Sequence, residues 1–170
     1  SREDVWDALI DLDSNQQGII NLIYSSSGMP ASDYGTPDTW NREHLWPQSR
    51  GVESSGPDFT DVHHLRPADA TINSSRGNLF FGDCNEACTS RPATDEAAPD
   101  TGRNSDMFLP PAQVRGDIAR ALFYMALRYS SRDEENTQRL ELTDCPQNSN
   151  GDNNYQMGYL SDLLQWHQDD

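Results

Sequence analysis

The chain has 170 residues, enough for one domain with its own core, but a hydrophobic content of only 34% and a net charge of −16. All twelve basic residues are arginine and twenty of the twenty-eight acids are aspartate; taken alone, this argues against a nucleic-acid partner, because phosphate binding usually rests on a basic patch. No stretch approaches the length of a membrane-spanning helix, and no membrane partner is expected. An acidic, lysine-free surface suits a protein working in salt, with solubility alone as the competing explanation.

Residues 2–12, "REDVWDALIDL", space Val5, Trp6, Leu9, Ile10 and Leu12 as a helix does, with Ser1 as a candidate cap. The apolar run 18–24 predicts a second helix, and residues 25–38 predict a loop by their Gly, Pro and Ser content. "TWNREHLWP" predicts a short strand closed by Pro47, "SRGVESSGPD" a loop and "FTDVHHL" a second strand. The next helix is expected to begin at Pro67 and stop at Gly77. The middle of the chain, about 40–80, therefore reads as a ββα unit.

Residues 83–106 form a long polar loop holding Cys84 and Cys88, a spacing that allows a local disulfide and implies an oxidising compartment. Cys145 is left over, and no second cysteine pair completes a zinc site. Val114, Ile118, Ala121, Leu122, Met125 and Tyr129 share one stripe of the strongest predicted helix, where Gly116 and Ala119 allow close packing. The run "NSNGDNN" lacks the closing acid of a calcium loop and is expected to be flexible. An amphipathic helix covers the last residues to Asp170. With no signal peptide remaining, the sequence is expected to be a mature or trimmed product. Trp6, Phe123 and Tyr124 are expected in the core.

The ββα unit concentrates chemistry. Glu43 and His44 lie at the end of the first strand, Asp61, His63 and His64 on the second, and Asp69, Asn73 and Arg76 on one helical face. If that face packs across the strands, Asn73 meets Glu43 and His44. A carboxylate and an amide oxygen are hard donors suited to Mg²⁺ or Ca²⁺. A neutral imidazole beside them can take a proton from water. Arg66 and Arg76, then Arg50, are candidates to hold a phosphate, and Arg42 either contacts substrate or pairs structurally. One of His63 and His64 is expected to be packed inside, His167 to be structural or on the surface, and Asp69 either to orient a metal-bound water or to be a solvated helix residue.

The ordered motifs "NREHLWPQS", "DVHHLRPAD", "INSSRGNLFFG" and "LPPAQVRGDIARALFYM" resemble the bacterial endonuclease I family, secreted or periplasmic sugar-non-specific nucleases of the ββα-metal (His-Me finger) type. The resemblance covers nearly the whole chain. It implies an α+β fold, a mainly helical single domain over 1–170 built around a ββα-metal core with long loops. It makes His44 the general base, with Glu43 and Asn73 as metal ligands. It also implies a monomeric endonuclease using Mg²⁺, with Ca²⁺ or Mn²⁺ as alternatives, that cuts DNA and RNA to 5′-phosphate ends. The phosphate-holding arginine of the family sits in a Cys-rich insertion that is only a short loop here, so that role does not carry over. Relatives tend to have Cys where Ser161 stands, which leaves Cys145 unpaired and favours a Cys84–Cys88 bridge. The family's C-terminal tail has no counterpart before Asp170, which leaves open a non-catalytic cation-binding module or an inactive fragment.

Overall fold

A computed structural model describes residues 2–131, 136–147 and 155–170. Helix α1 (Arg2–Asp13) opens the chain and is followed by an antiparallel ribbon of β1 (Ile19–Asn21) and β2 (Gly28–Pro30). The predicted helix over 18–24 is thus a strand and its exit. Gly18 turns with φ +73, and the β-branched Ile19 and Ile20 favour extended backbone.

Strand β3 (Trp40–His44) pairs antiparallel with β4 (Leu65–Asp69), Trp40 facing Asp69 and His44 facing Leu65. The second strand therefore begins where it was expected to end. Residues 57–60 and 62–64 are instead two 3-10 turns, because polar side chains compete for their backbone: Asp58 Oδ1 accepts from its neighbour Phe59 N, and Asp61 Oδ1 accepts from His63 N. Pro67 lies within β4 opposite Arg42. The following helix α2 (Ala70–Arg76) starts three residues later than predicted, with Asp69 as its cap accepting from Thr71 N and Ile72 N. Asp69 thus spends its carboxylate on the helix start.

Beyond α2, β5 (Phe80–Phe81), β6 (Gly102–Arg103) and β7 (Met107–Leu109) form a sheet in the order β5-β7-β6. The long loop before β6 carries the Cys84–Cys88 disulfide, and Cys145 is exposed and free. Helix α3 (Arg115–Arg128) buries Ile118, Ala121, Leu122 and Met125 along the predicted stripe. Strands β8 (Glu141–Leu142) and β9 (Gln156–Met157) pair in parallel, and α4 (Leu160–Asp169) packs on α3. A Cβ at Gly116 would lie 2.5 Å from Asp170 Cβ, so glycine permits that approach. The Ser1 cap and the "NSNGDNN" run lie outside the described residues.

The described residues make a mixed α/β fold with four α-helices and small sheets, not a mainly helical one. Two apolar clusters hold it together: a large one centred on β5, β7 and α3, and a smaller one joining α1 to β1, Trp40 and Leu65. Trp6, Phe123 and Tyr124 pack on these clusters while half-buried. The β3–β4 ribbon lies between the clusters, with Trp40 and Leu65 in one and Leu45 and Ala68 in the other, so both ends of the ribbon are fixed by burial.

Candidate active site

Successive strand side chains point to opposite faces, so Glu43 and His44 meet different neighbours. Glu43 is 2% exposed. Its Oε1 accepts from the Tyr24 hydroxyl at 2.7 Å and from Arg76 Nη1 at 3.0 Å. Burial pushes the Glu43 carboxyl upward, while Arg76 and the Tyr24 hydrogen bond push it back toward the anion.

His44 is 6% exposed, with Nε2 3.0 Å from the Phe59 carbonyl oxygen. A carbonyl only accepts, so Nε2 carries the proton and the lone pair of the neutral ring lies on Nδ1. That acceptor lies on the 3-10 turn over 57–60. Burial lowers the His44 pKa to about 4; the Phe59 hydrogen bond opposes this, and Arg42 and Arg76 reinforce it. The ring is therefore neutral at pH 7. It packs at 5.0 Å from the Phe59 ring and at 5.3 Å, edge-on, from His64.

Asn73 reaches across from α2. Its Nδ2 donates to Asn41 Oδ1 and, at 3.3 Å, to the Arg42 carbonyl. Glu43, His44, Asn73 and Arg42 line one cavity of about 440 Å³. A second cavity of about 910 Å³ adjoins it, sharing Arg42, His44 and Gln48.

The four arginines separate by burial. Arg42 lines both cavities, its guanidinium 4.9 Å from the Trp6 ring centroid. Arg76, 1% exposed, gives its guanidinium to Glu43 and to the His44 and Leu45 carbonyls and lies over Phe81. Arg50, also 1% exposed, donates to the Asn78 carbonyl and lies 3.7 Å from the Phe80 ring; burial, then the nearby Arg76 charge, lowers its pKa to about 10. Arg66 donates to the carbonyls of Val62 and Leu65 and lines a separate cavity with Asp13. The phosphate-holding candidates Arg50, Arg66 and Arg76 are therefore absent from the lining of the Glu43–His44–Asn73 cavity, because their donors serve backbone carbonyls and a buried carboxylate.

His64 is the packed histidine, fully buried with Nε2 2.8 Å from the Asp58 carbonyl oxygen. His63 is exposed, stacks on Tyr124 and meets Asp61 Oδ1 at 2.9 Å. Asp61 Oδ2 accepts from Tyr124 and Tyr129, which ties the turn to α3. His167 lies on the surface against Phe123. Sequence reasoning missed Tyr24, Gln48 and Arg103. The last donates to the Ser75 carbonyl and hydroxyl, bracing α2. No spacing signals these contacts, since Tyr24 is nineteen residues from Glu43 and Arg103 twenty-eight from Ser75.

The donors present fit a hard cation. Both hydrogen bonds to Glu43 fall on Oε1, and Asn73 donates through Nδ2, so Glu43 Oε2 and Asn73 Oδ1 are the oxygens to offer. Among the described residues no three His, Cys, Asp or Glu side chains gather as a metal cluster, which leaves a sparse pair that water and an anionic ligand would complete. A neutral imidazole and an arginine at the same cavity are the equipment of a phosphodiester hydrolase.

The chain belongs to the endonuclease I family, whose model matches residues 2–170. It is 39% identical over 175 residues to an extracellular ribonuclease of Bacillus amyloliquefaciens, all of this chain aligning with 56% of that protein. An extracellular ribonuclease of Bacillus subtilis is likewise 39% identical, over 176 residues, with the same coverage. The chain thus spans about half the length of these curated relatives.

Proposed function

We propose that this chain is a secreted, metal-dependent endonuclease that hydrolyses phosphodiester bonds of nucleic acid without sequence preference. The observation that carries this reading is the meeting of Glu43, Asn73 and His44 at one cavity, with the His44 lone pair on Nδ1. In this reading β3, β4 and α2 are a ββα-metal core within one domain over 1–170. Glu43 and Asn73 hold the cation, Mg²⁺ with Ca²⁺ or Mn²⁺ as alternatives. When bound, it would supply positive charge at the phosphate and the leaving oxygen.

His44 Nδ1 takes a proton from the water that attacks phosphorus, while the Phe59 carbonyl fixes the tautomer and aims the ring. Its depressed pKa keeps this acceptor unprotonated at neutral pH. Tyr24 and Arg76 orient the Glu43 carboxylate from beneath. Arg42, the arginine lining the cavity, contacts the phosphate. Products carry 5′-phosphate ends. The names of the relatives favour RNA as a substrate, and the motif resemblance set out above adds DNA. The acidic, lysine-free surface and the Cys84–Cys88 bridge suit an extracellular, saline setting.

Digestion of plasmid DNA and of a structureless RNA, with Mg²⁺ and with chelator, tests the reading. The chain cuts with metal and stops with chelator, and His44→Ala lowers the rate by about 10² to 10⁴. A His44→Ala protein that cuts as fast as the parent removes His44 from the mechanism.

A further inference from the structure

We infer that the larger cavity beside His44 is the path of an unpaired strand, so that the chain acts on single-stranded nucleic acid in preference to duplex. This rests on the nuclease reading above.

Continuity comes first. The two cavities share Arg42, His44 and Gln48, so a strand whose phosphate lies at His44 runs on directly into the larger one. Its volume, about 910 Å³, is ample for a nucleotide.

Charge comes next. Among the described residues no carboxylate lines this cavity, in a chain with twenty-eight acids and a net charge of −16. Acidic side chains outnumber basic ones by 28 to 12 yet stay out of this groove, where a polyanion would meet them at contact range.

The walls then decide between one strand and two. A duplex is held chiefly through several cationic contacts to its phosphates. Here the lining offers Arg42 as its arginine, while Arg50 and Arg76 are sealed beneath β3. The rest is neutral: hydroxyl and amide groups from Thr36, Asn41, Thr71 and Ser74, with apolar surface from Trp6 and Pro37. The hydroxyl and amide groups serve sugar and phosphate in either form, but the apolar surface packs on base faces, which a strand presents only when its bases are unpaired. The Trp6 wall is fixed in place, stacked on Tyr34 at 4.8 Å and edge-packed on Trp40 at 5.1 Å.

The test compares initial rates in Mg²⁺ on four substrates: a 5′-labelled DNA oligonucleotide, the RNA of the same sequence, the DNA annealed to its complement, and the small diester bis(4-nitrophenyl) phosphate. Both single strands are cut at least about tenfold faster than the duplex. Thr71→Asp and Thr36→Asp each place a carboxylate in the groove from an exposed position. Each raises KM for single strands by about tenfold or more through like-charge contact. Asp in the first turn of α2 favours the helix, so the first variant folds. Equal rates on duplex and single strands, or an unmoved KM in both variants, overturn the inference and leave the nuclease reading standing. Failure to cut any substrate, the small diester included, overturns both.

Discussion

Tyr24 donates its hydroxyl to Glu43 Oε1 at 2.7 Å, and both side chains are sealed from solvent. Arg76 joins the same oxygen from α2. Two donors on one oxygen fix the carboxylate plane. The hydroxyl also opposes the upward push of burial on the Glu43 pKa. Tyr24→Phe keeps the ring against Phe108 and removes one hydrogen bond to a charged group. The expected result is divalent-cation binding weaker by about tenfold or more, with higher cation concentrations needed for full activity. Calorimetric titration with Mn²⁺ checks the first part without reference to turnover, and an unchanged affinity would take Glu43 out of the ligand set.

Arg42 and Arg76 are expected to fail in opposite ways. Arg76→Ala leaves Glu43 buried without its cation and strips donors from the His44 and Leu45 carbonyls. It is expected to cost about 3–5 kcal/mol of stability, read from urea unfolding. Arg42→Ala opens onto solvent-lined cavities and is expected to raise KM for nucleic acid with a smaller loss of stability. If Arg76→Ala folds as well as the parent and loses only substrate affinity, the two assignments are exchanged.

The meeting of Glu43, His44 and Asn73 at one cavity is legible in the sequence because it is local. Glu43 and His44 are adjacent, and Asn73 follows within one supersecondary unit, so strand and helix periodicity alone bring them together. The stripe on α3 was legible for the same reason. The second strand begins six residues later than expected because Phe59, Thr60 and Val62 favour extended backbone, while Asp58 and Asp61 draw it into 3-10 turns. Sequence position does not distinguish an arginine packed beneath a strand from one facing a cavity. Phe80 and Phe81 hold Arg50 and Arg76 there through their ring faces.

His64 sets a pH dependence of stability whose sign can be worked out. In the unfolded chain it takes a proton near 6.5. In the fold, burial, reinforced by neighbouring His44, holds its pKa down to about 3. Between those values the unfolded state binds more protons, so His64 contributes stability above pH 6.5 that is lost progressively as pH falls toward 3. Asp58 acts in the opposite sense: burial raises its pKa to about 6, so it favours the fold below its unfolded value near 4 and loses that contribution as pH rises through 6. His64→Gln leaves Asp58 in place, so the difference between variant and parent isolates the histidine. Urea midpoints at pH 8, 6 and 4.5 should show the parent losing its advantage over the variant as pH falls. A constant difference would mean that folding leaves the His64 pKa unshifted.

Salt tests the acidic surface and the sparse cationic site together. A net charge of −16 with no lysine repels itself over the whole body. Salt shortens that repulsion from about 10 Å at 0.1 M to about 3 Å at 1 M. Melting temperature is therefore expected to rise between low salt and about 0.5 M NaCl. Ordinary nucleases lose affinity steeply with salt because many phosphate contacts release many counterions. With Arg42 as the arginine of the lining, few counterions are released here, and the same salt screens repulsion between the acidic body and its polyanionic substrate. Cleavage is then expected to hold or rise over the range in which stability rises. A flat melting temperature counts against the first half. Sharp inhibition by roughly 0.2 M NaCl, the pattern of many phosphate contacts, counts against the second and places further arginines on the substrate path.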